Sequence, residues 1–237
     1  MGFWQRYRAG VRAAVPLAVA VGAFAISYGV LARQAGMGVA APLVFSLTTF
    51  AGSAQFAVVS VLGAGGGVAA ACVAALLLNA RYAPIGMSVA KVLDKPWFKR
   101  LLEAQLVVDE SWALSNQGGG RFDRGILIGA GVLLYVTWLV GTTIGVLAGN
   151  LIGDPNKLGL DAAFPALFFA LLVGQIRSRR AAVAAVCGAA IALATIPFVR
   201  PGIPLIAACL GCLVGWRRRE EPRETWAGSE IMSKELP

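Results

Sequence analysis

Apolar residues run along this chain in long blocks, and polar residues gather in the gaps between them. The blocks run from about Val11 to Ala32, Val39 to Leu62, Val68 to Ala90, Gly125 to Ala148, Ala162 to Ile176, Ala181 to Val199 and Ile203 to Trp216. Each full block meets the roughly 20 residues that a helix needs to cross about 30 Å of hydrocarbon. The runs are continuous, whereas a membrane barrel alternates apolar and polar positions. The pattern predicts an all-α polytopic membrane protein with about seven hydrophobic segments. Two interruptions stand out. AGSAQF breaks the second block at Gly52, Ser53 and Gln55, and GAGGG follows it. Irregular backbone at membrane depth is tolerated where a protein lines a cavity, so a broken or re-entrant element is expected in the N-terminal half.

Composition sharpens this. Of 237 residues, 58% are hydrophobic and 14% charged, against about 25% charged in soluble domains. Mean hydropathy is +0.73. So few charges cannot cover a soluble surface, and lipid must cover it instead. The net charge of +9 suggests no nucleic acid, because the bases cluster at the ends and in short loops, as topology signals do. Residues 1–216 read as one membrane-embedded domain and 217–237 as a polar cytoplasmic tail with little structure. The chain has no histidine, which excludes a His-ligated metal and leaves any proton relay to carboxylates. Cys72, Cys187, Cys209 and Cys212 lie in apolar surroundings and read as packing residues, although the last two have CxxC spacing. No cofactor is expected. The start does not read as a cleaved signal peptide, because the apolar run is too long and has no small-residue cleavage site.

Loop charges assign sides. Arg177, Arg179 and Arg180, Arg217 to Arg219, and the stretch from Lys91 to Arg124 are basic, while the alternate loops hold only Lys157 and Arg200. Those three regions read as cytoplasmic, and so does the arginine-bearing N-terminus. Three full spans cannot join two points on one side. A re-entrant or broken element within the second and third blocks resolves the conflict. Gly141, Gly145 and Gly149 form a ridge of small residues at every fourth position, repeated at Gly211 and Gly215. Such ridges let helices approach closely. They favour a tight bundle, in which a second polypeptide could pack on the first ridge.

A few polar groups need a reason. Arg81 is the only residue charged at neutral pH between Val68 and Ala90, and a charge at a helix centre costs at least about 2.5 to 3.5 kcal/mol. It is read either as a snorkelling anchor or structural ion pair, or as a cation facing a cavity to meet a carboxylate. Glu103, Asp109 and Glu110 follow in LLEAQLVVDESWALSNQ, whose leucines recur at amphipathic-helix spacing. Adjacent carboxylates beside apolar residues raise at least one pKa, which makes Asp109 and Glu110 candidates for proton exchange, or else solvated loop charges. Asp161 reads as a helix N-cap or a site residue. Gln55 and Asn79 read as interhelical glue or ligand contacts.

FAGSAQF, LLLNARYAPIGMSVA, VVDESWALS and GLDAAFPALFFALLV, in that order, resemble the AzlC-type branched-chain amino acid permeases, also called the LIV-E exporters, over about residues 4 to 216. Ala80, Tyr82, Ala83 and Val108 depart from the usual family residues, while the Asn-x-Arg spacing, the acidic pair and the Gly-Leu-Asp start are kept. The resemblance implies a bacterial cytoplasmic-membrane permease exporting leucine, isoleucine, valine and in some cases methionine. It also implies a small hydrophobic AzlD-type partner and coupling to the proton motive force. Arg81 would then hold the substrate carboxylate. Asp109, Glu110 or Asp161 would hold the ammonium or a proton, and Phe56, Phe164 and Phe168 would line an apolar pocket. A non-transporting scaffold or channel subunit fits the glycine ridges equally well. A membrane enzyme does not fit, since neither a metal-ligand cluster nor a nucleophile–base pair is legible.

Overall fold

The computed structural model describes residues 2–93, 96–118, 120–149, 169, 172–173, 176, 179–199 and 203–211. It is helical: α1 (Phe3–Gln34), α2 (Ala40–Thr48), α3 (Gly52–Gly63), α4 (Val68–Asn79), α5 (Tyr82–Val89), α6 (Trp97–Ala104), α7 (Asp109–Ser115), α8 (Arg124–Ala148), α9 (Arg179–Thr195) and α10 (Ile203–Ala208). Among the described residues, α1 and α8 are long and apolar enough to cross a membrane, and the bent pair α4–α5 makes a third candidate span.

The two long helices pack side by side and parallel. Arg6, near the start of α1, pairs with Asp123 at the start of α8. Further along, Gly10 lies against Ile126, and a Cβ at Gly141 would lie 2.6 Å from the Ala25 Cβ. One at Gly29 would lie 2.7 Å from the Val146 nitrogen, and one at Gly149 would lie 3.1 Å from the Arg33 Cβ. The register therefore holds from end to end. Small residues permit it, because close helix contact in lipid depends on backbones meeting without side chains between them. This corrects one expectation. The Gly141–Gly145–Gly149 ridge is filled by α1 of the same chain, so a partner subunit cannot pack there.

Because α1 and α8 start at the same end, the chain between them must cross back once. Segment two does not do so. A Cβ at Gly63, the last residue of α3, would lie 3.8 Å from the Cβ of Ala35, just past the end of α1. The α2–α3 junction instead sits beside Tyr135 and Trp138 of α8. Thus α2 descends from the far end and α3 returns to it, which makes a re-entrant hairpin with its tip at Thr49–Ala51. The Thr49 N–H reaches the Phe45 carbonyl (2.7 Å), and the Ala51 N–H turns back onto the Thr49 carbonyl (2.8 Å). A Cβ on Gly52 would sit 2.8 Å from the Trp138 ring, so only glycine lets the tip seat on α8.

The third block makes the crossing. It is broken between Asn79 and Tyr82, and α4 and α5 bend by 41°. Pro84 has no N–H to give the Ala80 carbonyl. The Ala83 N–H, three residues on from Ala80, takes it instead (3.2 Å). Beyond it, the stretch expected to form one amphipathic helix turns out to be two, α6 and α7, joined by a turn at Leu106–Val108. The Ser111 hydroxyl accepts from the Val108 N–H (3.0 Å) and donates to the Leu106 carbonyl (2.8 Å), and this closes the turn. The turn lies deep: a Cβ at Gly131 of α8 would lie 2.7 Å from the Leu106 Cβ, and Val108 shares a buried cluster with Ala14, Ala130 and Leu134. The end of α7 lies by the start of α8, where the Asp123 N–H donates to the Ser115 carbonyl (2.9 Å). So α6–α7 is a second re-entrant hairpin, entering from the near, basic end. The polar stretch from Lys91 onward is not a simple surface loop. Helices α9 and α10 form an antiparallel pair, with Gly188 against Ala208 and Gly211 against Ala184.

Candidate functional site

The two hairpins enter from opposite ends, and their tips meet beside the break of the crossing helix, at the level of the middle of α8. Arg81 sits at that break. Its Nη2 donates to the Ser53 hydroxyl in the first turn of α3 (2.9 Å) and lies 2.8 Å from Asp109 Oδ2 at the first residue of α7. Its guanidinium also lies 5.2 Å from the centre of the Tyr82 ring. One cation therefore ties together three helix interruptions: the outer hairpin tip, the α4–α5 break and the inner hairpin tip. Ser53 and Asp109 each begin a helix, where backbone N–H groups lack partners and the dipole favours negative charge. The Trp112 indole N–H donates to the Ser88 hydroxyl (2.8 Å), a second tie between α5 and α7.

Beside this cluster lies an open cleft of about 590 Å³, within the roughly 300–1,000 Å³ usual for ligand sites. Thr48 and Phe50 of the outer tip, Asn79 and Tyr82 of the break, and Leu101 and Gln105 of the inner hairpin line it, and it runs past Trp97 and Arg100 towards the near end. Asn79 Oδ1 is buried and has no hydrogen-bond partner among the described residues. The end of α2 is capped by side chains. Tyr135 Oη donates to the Leu47 carbonyl (2.7 Å), and Gln105 Nε2 donates to the Leu47 and Thr48 carbonyls (3.3 and 3.1 Å).

Glu110, next to Asp109 on the non-spanning α7, has its carboxyl pushed above the usual range. Burial is the main cause and the Asp109 carboxylate adds to it, against a backbone hydrogen bond and Arg81, which pull it down.

Of the residues singled out from the sequence, Arg81, Asp109, Glu110 and Asn79 come together here. Gln55 and Phe56 point elsewhere. Gln55 is fully buried and donates from Nε2 to the Ser46 hydroxyl (2.8 Å). The Trp138 indole N–H also reaches Ser46 (3.2 Å). With both its acceptor positions filled, the Ser46 hydroxyl gives its hydrogen to Thr142, 3.1 Å away. Phe56 stacks edge-on to Tyr28 and Trp138, 5.8 and 6.4 Å between centroids. Both residues hold the outer hairpin onto α1 and α8. Asp161, Phe164 and Phe168 lie outside the described residues. Sequence reasoning missed Ser53 as a partner of Arg81, and it missed Gln105 entirely. The interruption at AGSAQF was a usable signal for the first, whereas a single glutamine in an amphipathic pattern gave none for the second.

The family model described as AzlC protein matches residues 16–152. An uncharacterized membrane protein of Archaeoglobus fulgidus is 32% identical over 89% of this chain and 94% of its own. The branched-chain amino acid transport protein AzlC of Bacillus subtilis is 24% identical over 93% and 89%, and the inner membrane protein YgaZ of Escherichia coli 25% over 86% and 89%. No solved structure matches the chain.

Proposed function

The chain belongs to the AzlC family of membrane proteins, and from that premise we propose that it exports branched-chain amino acids across the cytoplasmic membrane through the junction of its two hairpins. One observation carries the reading: a guanidinium held where three broken helices converge, beside an open cleft at mid-height. Transporters place substrate where discontinuous helices meet, because helix starts offer N–H groups to an anion and helix ends offer carbonyls to a cation. A zwitterion with an apolar side chain suits such a junction. Arg81 is poised to exchange its Asp109 partner for a substrate carboxylate. Release of Asp109, with Glu110 beside it already holding its proton more tightly, supplies a place for a coupling proton. A small AzlD-type subunit fits as partner on a face other than the glycine ridge, and Asp161, Phe164 and Phe168 complete the expected substrate-contacting set.

The test is transport and membrane abundance for Arg81→Lys. A guanidinium fork can take a substrate carboxylate through two N–H groups at once, whereas a lysine is a point charge without that bidentate geometry. Arg81→Lys is expected to keep near-normal abundance and to lower leucine export by at least about tenfold, the loss of one charge-assisted contact of about 1.5 to 3 kcal/mol. Full export by this variant would reduce Arg81 to a topology anchor.

A further inference from the structure

The inner hairpin places an amide on the open end of a helix. Gln105 Nε2 carries two hydrogens, and it directs them at the Leu47 and Thr48 carbonyls, 3.3 and 3.1 Å away. These carbonyls close α2 and, like any last-turn carbonyls, lack acceptor duty within the helix. They also carry the negative end of its dipole. Both Thr48 and Gln105 line the cleft. So does Asn79, whose Oδ1 is buried without a partner among the described residues. Neutral oxygen acceptors thus lie along the cleft, and a side-chain NH₂ sits on two carbonyls at the end of α2, one of which also accepts from Tyr135. We infer that this is a subsite for the primary ammonium group of the transported molecule, and that Gln105 occupies it as an internal stand-in when the site is empty.

The carboxylates are poor candidates for the same task. Asp109 is engaged by Arg81, and Glu103 by Arg124. The stand-in couples occupancy to motion. Gln105 joins the inner hairpin to the outer one, so an arriving ammonium that displaces it removes one tie between the two tips and leaves Arg81 as the other.

This rests on the amino-acid reading above, so the test has two arms. The first measures leucine export by the wild type and by Gln105→Ala, with 2-hydroxy-4-methylpentanoate, which lacks the ammonium, as competitor. Removing the stand-in is expected to lower the half-saturating leucine concentration at least about threefold, with competition by the hydroxy acid unchanged. The second uses purified protein and 3-methylbutylamine, with 3-methylbutanol as control, and reads the shift in thermal unfolding. The amine is expected to stabilise Gln105→Ala more than the wild type, and the alcohol to stabilise neither. Equal shifts with amine in both proteins overturn the subsite. Unchanged half-saturation in Gln105→Ala, with leucine export intact, also overturns it while leaving the transport reading in place. Absence of leucine export by the wild type, with the amine shift as expected, removes the proposed substrate and keeps the ammonium site.

Discussion

The pair α1–α8 and the junction of the two hairpins are built from the same apolar alphabet and solve opposite problems. The pair is unbroken, and along it glycines remove every obstacle between two backbones. Beside it the fully buried Ser46–Thr142 contact and its neighbours Gln55 and Trp138 are hydrogen-bonded to one another. At the junction the helices stop. Arg81, Asp109 and Ser53 meet there, and carbonyls at the end of α2 are satisfied only by side chains from elsewhere. A close-packed region has one arrangement, because any shift costs contacts on all sides. A region held by a few exchangeable hydrogen bonds can trade partners for a ligand. The long pair is thus the frame, and the hairpin tips are the parts free to respond.

Substitutions in the frame are expected to remove the protein, and those at the junction to remove its activity. The largest effect belongs to Gly145→Leu. The new side chain would start against the Ile26 carbonyl and Gly29, both backbone, which cannot step aside. Membrane abundance should fall several-fold, since overpacking of this kind costs about 1–3 kcal/mol or more. Normal abundance would show that the α1–α8 contact is looser than described. Gln55→Leu is next. It leaves Ser46 without one of its donors in a fully buried site, a loss of about 1–3 kcal/mol, and should lower thermal stability while leaving the half-saturating leucine concentration unaltered. A rise in that concentration with stability preserved would move Gln55 from the frame to the site.

Glu110→Gln gives the smallest effect and the sharpest contrast. A carboxyl whose folded pKa is raised holds its proton longer in the folded state. Its contribution is therefore full below the unfolded value near 4.5 and is lost as pH rises through the folded value. The wild type should lose some stability over that window, and the glutamine variant, which cannot ionise, should lose less. The same variant should flatten the pH dependence of transport if Glu110 carries a proton. Identical pH profiles for the two proteins would assign Glu110 to neither.

The apolar blocks by themselves determined the helical membrane class, the parts list and, through basic loops, the need for an element that does not cross. They do so because burial in hydrocarbon is a local demand on each stretch: about 20 apolar residues, no exposed polar backbone. The family motifs likewise marked Arg81 and the acidic pair. What the sequence could not decide is which of the breaks turns back and which crosses, since a hairpin and a bent span need the same residues. That was decided by the parallel register of α1 and α8, which fixes both ends of everything between them. The glycine ridge illustrates the same limit. Its spacing specifies a close neighbour but carries no information on whose helix it is. Gln105 shows it most plainly, for its partners lie 57 and 58 positions away, and only the meeting of two hairpins from opposite ends of the molecule brings an amide onto two open carbonyls.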